Sequence, residues 1–590
     1  MLSMFSKTKT ETKHRIKKTH KKTKKESEIQ KEIETESKSE TQKNSILELT
    51  KMDYFNYVNK INENKYNTFI IFLCKDLVSQ LKELEKTLKI KIPQKIIDSF
   101  KGNKEEINDF YIGDKNIILV GFKHNNSCNE KNMYESAAIL GKKLNDTDKK
   151  YLVVLNNLSN PEITSIISGL MYGLYKFTKY NKTKLKIPQI DFYNNDNTKY
   201  NNKKDDTKEN NNKTEKLIKE TIKINEIQCE IRDLVNEPVN ILNSITYLNH
   251  IQSSLKSLSS SSTSSTSTSL KNKNIKITVL DEKELKKQGL NLILAVNKGS
   301  KNPPMLCIIE YNGLGSDKSI EKSNENICLV GKGVMFDTGG INLKTGDFYD
   351  MKEDMAGSAV VYGVIKALAE LKVEKNVIGL LPIVENNVDG DSIHPGDVIK
   401  SYSGKTVEIL NTDAEGRLIL ADAMSYTKNY NPKVLIDIAT LTGQEADIFD
   451  NLASAVFGND KELIETIIKC GMKENEKFWQ LPLWDETIES MESTTADLRN
   501  MNEGYGDTIS AAGFLSKFIP NHKSNKTKKN DKNDKNDKKD DKKDDKSNKK
   551  IKWIHLDTAG VSYYLTDSKT RFSGATGETF RTLVKYLTDF

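Results

Sequence analysis

The chain has 590 residues, length enough for two domains, but only 36% of them are hydrophobic and the net charge is +8. No run approaches the ~20 apolar residues that span a bilayer, so no membrane partner is expected. The lysines of its biased stretches are interleaved with Asp and almost free of aromatic residues, which argues against a nucleic-acid partner.

Taken in chain order, residues 1–45 form a Lys-rich tail that should be disordered, because it cannot bury enough apolar surface to offset chain entropy. Its first five residues are too short for a signal-peptide core, and Arg15 is its only arginine. Organellar targeting therefore has little support, and a cytoplasmic location is expected. Residues 46–189 read as an N-terminal α/β domain: strands at Asn116–Phe122 and Tyr151–Asn157 alternate with helical patterns at Met133–Leu144 and Glu162–Tyr175. The Asn/Lys/Asp-rich stretch 190–215 reads as a low-complexity linker.

From 216 to 590 a second α/β domain is expected, with a mixed, mainly parallel sheet flanked by helices. Its strands include Ile327–Val330, Val377–Val384 and Val434–Ile438, and a helix follows Arg417. Inserts at 257–274, rich in Ser and Thr, and at 523–550, almost entirely Lys, Asn and Asp, should be disordered. The second must loop out between two elements, which is tolerable because loop-closure entropy grows only logarithmically with length. Six cysteines, Cys74, Cys128, Cys229, Cys307, Cys328 and Cys470, show no Cys-x-x-Cys spacing and read as reduced thiols.

Two short blocks carry chemistry. Val330–Lys344 reads VGKGVMFDTGGINLK, with Asp354 after it, and Asn411–Leu420 reads NTDAEGRLIL. In the second block Asp413, Glu415 and Arg417 stand at i, i+2 and i+4, a spacing that an extended backbone points to one face. Asp337 lies in a Phe-Asp-Thr-Gly-Gly turn after an apolar run, where Gly339 and Gly340 permit backbone geometry that other residues resist. Loops at strand ends are where open sheets place their ligands. Carboxylates crowded together take up protons unless divalent cations hold them ionised, and two metal ions would do so here. A lone Asp or Lys in a chain 29% charged is ordinarily a surface charge. Two compact, glycine-punctuated blocks beside strand-like runs are harder to read that way. No histidine lies in either block, and the nearest, His394, reads as a loop residue.

These blocks resemble those of the cytosolic leucyl aminopeptidases, two-metal exopeptidases that work as hexamers. NTDAEGRL matches completely and VGKGxxFDTGG is the second hallmark. The likeness extends to RDLVNEP at Arg232–Pro238, AVNKGS at Ala295–Ser300, PGDV at Pro395–Val398, ATLTG at Ala439–Gly443, LPLW at Leu481–Trp484, ADLRN at Ala496–Asn500 and HLDTAG at His555–Gly560. It thus runs from about Ile224 to the C-terminus.

The resemblance implies that 216–590 is a metallopeptidase domain that removes an N-terminal Leu, Met or other apolar residue from peptides, and that the chain forms a homohexamer. Lys332, Asp337, Asp354 and Glu415 would hold one divalent ion, and Asp337, Glu415 and Asp413 the other; Zn, Mn and Co all suit such donors. A water bridging the two ions would be the nucleophile. Lys332 would ligate as the neutral amine. Lys344 would stay an ammonium and stabilise the oxyanion, and Arg417 would hold a bicarbonate that serves as general base. Met351, Thr440, Gly443, Ala559 and Ser562 would surround the first side chain of the substrate. Two departures stand out: Ser562 is more polar than the family pattern, and Gln-Glu-Ala-Asp follows Gly443 where small or apolar residues are usual. A two-metal phosphoesterase would not suit a lysine ligand, and a binding-only descendant would be expected to have lost some of the seven site residues.

Overall fold

Apolar runs build the two larger sheets. The computed structural model describes residues 54–590 apart from 62–64, 75–80, 83–84, 87, 126, 183–184, 195–203, 261–273, 316–319, 321–322, 324, 503, 505 and 522–549. The Lys-rich start, most of the insert at 257–274 and all but the last residue of 523–550 lie outside the described residues.

The first sheet contains β1 (Phe55–Val58), β2 (Thr68–Leu73), β3 (Ile107–Ile112), β4 (Lys115–Gly121), β5 (Lys150–Val154) and β6 (Gln189–Tyr193), in the order β1-β6-β5-β2-β4-β3. Its neighbours run parallel except β3 with β4. Successive residues of β2 and β4 go to opposite faces: Ile70, Phe72, Ile118 and Val120 join one apolar cluster, and Phe69, Ile71, Ile117 and Leu119 the other. Both faces are covered, which is why these strands read as unbroken apolar runs. The helices α1 (Glu130–Leu144) and α2 (Asn160–Leu174) pack against each other, and the Ser159–Glu162 capping box starts α2.

Both ends of the expected linker belong to regular elements. β6 takes Gln189–Tyr193, where Ile190 and Phe192 are buried, and α3 (Lys204–Asn236) begins within the stretch. Ile218, Ile222 and Cys229 of this helix pack into one of the apolar clusters of the first sheet. The cysteines require a second correction. Cys74, just past β2, is disulfide-bonded to Cys128, just before α1, with Cα atoms 6.3 Å apart; the other four are free and buried. The bond spans 54 residues of sequence and has no local signature.

The main sheet contains β7 (Ile275–Leu280), β8 (Met305–Asn312), β9 (Ile327–Gly331), β10 (Gly333–Asp337), β11 (Asn376–Asn386), β12 (Val434–Ala439), β13 (Ser454–Gly458), β14 (Phe478–Gln480) and β15 (Lys552–Asp557). The order is β14-β13-β15-β12-β9-β11-β8-β7, with β10 beside β11. β9, β11, β12 and β15 run parallel, as does β10 with β11. Their C-terminal ends therefore share one edge of the sheet. The helix α4 (Ala356–Leu371) packs on the sheet, and α5 (Gly416–Tyr426) covers β9 and β12.

A buried arginine ties α2 to the segment at Ala575. Arg232 of α3 donates from Nη1 to the Tyr172 carbonyl at 3.0 Å and from Nε to the Ala575 carbonyl at 2.8 Å. Its guanidinium lies between the rings of Tyr172 and Tyr175, at 4.7 and 3.8 Å.

Candidate active site

The shared edge of the main sheet gathers the charged blocks. Lys332 follows β9, Asp337 ends β10, Asn386 ends β11, Thr440 follows β12 and Asp557 ends β15. A one-turn 3₁₀ helix, Met351–Met355, brings Asp354, and Glu415 caps α5. The expectation of an extended NTDAEGR segment is corrected here. Glu415 already has helical backbone angles and Arg417 sits in the first turn of α5, so the carboxylates converge through a turn into a helix. The apolar Leu-Ile-Leu run after Arg417 lies in a helix buried all round instead of in a strand.

Within this edge the acids and lysines interlock. Oxygens of Asp337, Asp354 and Glu415 all lie within 4.8 Å of one another, and all three residues are buried. Lys332 Nζ stands 2.7 Å from Asp354 Oδ1 and 2.9 Å from Glu415 Oε1, and donates to the Thr440 carbonyl at 2.8 Å. Lys344 Nζ stands 2.8 Å from Asp337 Oδ2 and 2.6 Å from Asp413 Oδ1. Asp337 Oδ1 accepts from Asn386 Nδ2 at 2.8 Å and from the Gly339 N–H at 2.9 Å. Asp354 Oδ1 accepts from the Thr440 hydroxyl at 2.9 Å, while Oδ2 has no hydrogen-bond partner among the described residues.

The turn explains its glycines. Gly339 and Gly340 have φ of 86° and 64°. A Cβ on Gly339 would come within 2.5 Å of the Asn342 carbonyl oxygen, and one on Gly340 within 2.8 Å of Asn386 Oδ1.

Charge follows geometry. Burial raises the pKa of Asp337, and Glu415 adds to it; burial and the neighbouring acids raise Asp354 well above the usual range. Burial and then Asp337 push Asp413 up to about 7. Burial also opposes ionisation of Glu415, but Lys332 and Lys344 outweigh it and hold its carboxyl below the usual value. Burial works against both lysine charges, yet the surrounding carboxylates win and raise both pKa values. Four crowded acids are balanced by two ammonium groups, and a divalent cation would favour their ionised forms. Hard oxygen donors plus one amine, with a buried carboxylate oxygen lacking a partner, fit such an ion.

Arg417 is buried. Nη1 donates to the Asn500 carbonyl at 3.0 Å, Nη2 pairs with Asp507 Oδ1 at 2.7 Å, and Nε has no partner among the described residues. The expected substrate contacts are placed as follows. Met351 opens the 3₁₀ turn, half-buried, and Thr440 is engaged by Asp354. Gly443 starts α6 (Gly443–Phe449) and has no atom within 4 Å of a would-be Cβ. Ala559 and Ser562 bound a short helical turn that packs on α6, where the Gly560 N–H donates to Glu445 Oε2 at 2.7 Å. Ser562 donates its hydroxyl to the Thr558 carbonyl at 2.8 Å, so its polarity is satisfied internally.

Sequence reasoning missed Asn386, which orients Asp337 and donates to the Thr412 carbonyl at 3.0 Å, and Asp507, which pairs with Arg417. Asn386 could have been suspected as the polar end of an apolar strand. Nothing local marks Asp507.

Comparison with known proteins agrees with this geometry. The family model described as the cytosol aminopeptidase family, catalytic domain, matches residues 230–584. A probable cytosol aminopeptidase of Geotalea uraniireducens is 35% identical over 481 residues, covering 80% of this chain and 85% of that protein. One of Nitrosomonas europaea is 41% identical over 315 residues, covering 53% of this chain and 56% of that protein. Among solved structures, the bottromycin maturation enzyme BotP in complex with Mn superimposes with a TM-score of 0.69 at 24% identity, covering 88% of this chain and 99% of that one. At that identity the likeness speaks for the fold.

Proposed function

The chain belongs to the cytosol aminopeptidase family and is a metallo-exopeptidase, and from that premise we propose that it releases N-terminal Leu, Met or similar apolar residues from peptides in the cytoplasm, using two divalent ions. The observation that carries this reading is the interlocked set Lys332, Asp337, Asp354, Asp413 and Glu415 at the C-terminal edge of the main sheet. Lys332, Asp337, Asp354, Asp413 and Glu415 would hold the ions. When bound, the ions lower the pKa of a water between them and so supply the nucleophile.

The chain's own residues do the rest. Lys344, partly exposed among Asp337 and Asp413, is positioned to meet the carbonyl oxygen as negative charge grows on it. Asn386 and the Gly339 N–H fix the Asp337 carboxylate, and Thr440 fixes Asp354. Arg417 would hold bicarbonate as the base that accepts the proton of the attacking water. Met351, Thr440, Gly443, Ala559 and Ser562 would bound the first side chain, and the inward-bonded Ser562 hydroxyl keeps that pocket suited to apolar residues. The N-terminal α/β domain, 46–189, would assist assembly into a homohexamer and shape access.

The test is a panel of fluorogenic amino-acid amides with the purified, metal-reconstituted protein. Leu and Met amides should be cleaved best, N-acetylated peptides should be inert, and chelation should abolish turnover. Efficient cleavage of acetylated peptides would overturn the reading, and sedimentation should find a species near six chains.

A further inference from the structure

Arg417 carries two observations that belong together. Its side chain is 2% exposed, yet Nε has no partner among the described residues, and Nη2 is taken by Asp507, whose side chain is 30% exposed. A buried N–H without an acceptor is rare in folded proteins. Nε and Nη2 form the edge of the guanidinium that receives a carboxylate or a bicarbonate through two parallel hydrogen bonds. Asp507 reaches that edge with a single oxygen, at 2.7 Å on Nη2, and leaves the other half open. The aspartate sits at the start of α7 (Asp507–Ser516), nearer water than the arginine it meets.

We propose that Asp507 competes with bicarbonate for the Nε/Nη2 edge of Arg417 and so sets how readily the anion binds. The proposal rests on the reading of Arg417 as the bicarbonate holder. A carboxylate and a bicarbonate offer the same planar pair of oxygens and the same charge, so one must leave the shared nitrogen before the other binds in two-pronged fashion. Because Asp507 is the more exposed partner, it is the group that moves out to water. It acts through Arg417 and is a positioning residue.

The test uses the full chain, loaded with metal, at fixed pH and ionic strength. The thermal unfolding midpoint is followed against rising bicarbonate, with chloride as the control, and leucine-amide turnover is measured in parallel. Asp507→Asn keeps the shape and removes the competing charge, and Asp507→Ala removes the side chain. Both should half-saturate at a bicarbonate concentration at least about threefold lower than the wild type, the scale expected for losing one partly exposed ion pair. Arg417→Ala should lose the response. Unchanged or weaker bicarbonate binding in both Asp507 variants, with the response still lost in Arg417→Ala, would overturn the competition alone. An equal response in the wild type and Arg417→Ala would overturn the assignment of the anion to Arg417, and the proposal with it.

Discussion

Lys332 and Lys344 divide four carboxylates between them, the first reaching Asp354 and Glu415 at 2.7 and 2.9 Å, the second Asp337 and Asp413 at 2.8 and 2.6 Å. Composition treats the two lysines alike. Their surroundings differ: the Lys332 side chain is 4% exposed and that of Lys344 is 22% exposed. On the proposed reading the buried one would be a ligand and the more open one a cation facing substrate.

Lys332→Ala should therefore weaken metal binding, and excess metal should restore part of the activity. Lys344→Ala should bind metal normally but lose turnover by roughly 10²–10³, the scale of one oxyanion-stabilising donor. Metal titration of both variants distinguishes the roles. Rescue of Lys344→Ala and not of Lys332→Ala would reverse the assignment.

Metal uptake should release protons and strengthen with pH. Asp413, pushed up to about 7, and the raised Lys332 both hold protons near neutrality that ligation requires them to give up. Calorimetry in buffers of different ionisation enthalpy should report more than one proton per chain at about pH 7. An affinity that stays flat on going from mildly acid to mildly alkaline solution would contradict this.

Gly416→Ala should displace Lys332 and spare the fold. The added Cβ would lie 2.5 Å from Lys332 Cε and 2.7 Å from Nζ. The clash is with the end of a flexible side chain, so circular dichroism should be unchanged while metal affinity falls as in Lys332→Ala.

Glu445 gives stability a pH dependence of known sign. Burial, with Asp557 adding to it, raises its pKa from 4.5 to about 9. The folded state thus keeps a proton that the unfolded chain loses. Its contribution is complete below pH 4.5 and is lost as pH rises toward about 9. Glu445→Gln should flatten the alkaline fall in stability, measured by urea unfolding at saturating metal. An unchanged slope would show that Glu445 is already ionised in the folded protein.

Much of this was legible in the chain. The apolar runs predicted at Ile327–Val330 and Val434–Ile438 are β9 and β12, each one residue longer in the structure. The helical patterns at Met133–Leu144 and Glu162–Tyr175 are α1 and α2 with ends moved by a few residues. The first charged block lies at the C-terminal ends of parallel strands, and the second reaches the same edge through the turn into α5. What could not be read is tertiary. The Cys74–Cys128 bond and the Arg417–Asp507 pair join positions 54 and 90 residues apart, and no local pattern encodes them. NTDAEGR satisfies a strand period and a helix start equally well until α5 packs against the sheet.

The position of β15 has a consequence for how the protein is made. It is the last strand of the main sheet in sequence, yet it lies between β12 and β13 and delivers Asp557. On the ribosome, β12 and β13 emerge first and leave a gap between them with two unsatisfied strand edges. Until the nascent chain has passed residue 557, those edges stay open to the wrong partner. The edge that gathers the charged blocks is thus completed only after residue 557 has emerged, and a shorter nascent chain holds its acids and lysines without the strand that closes the sheet around them.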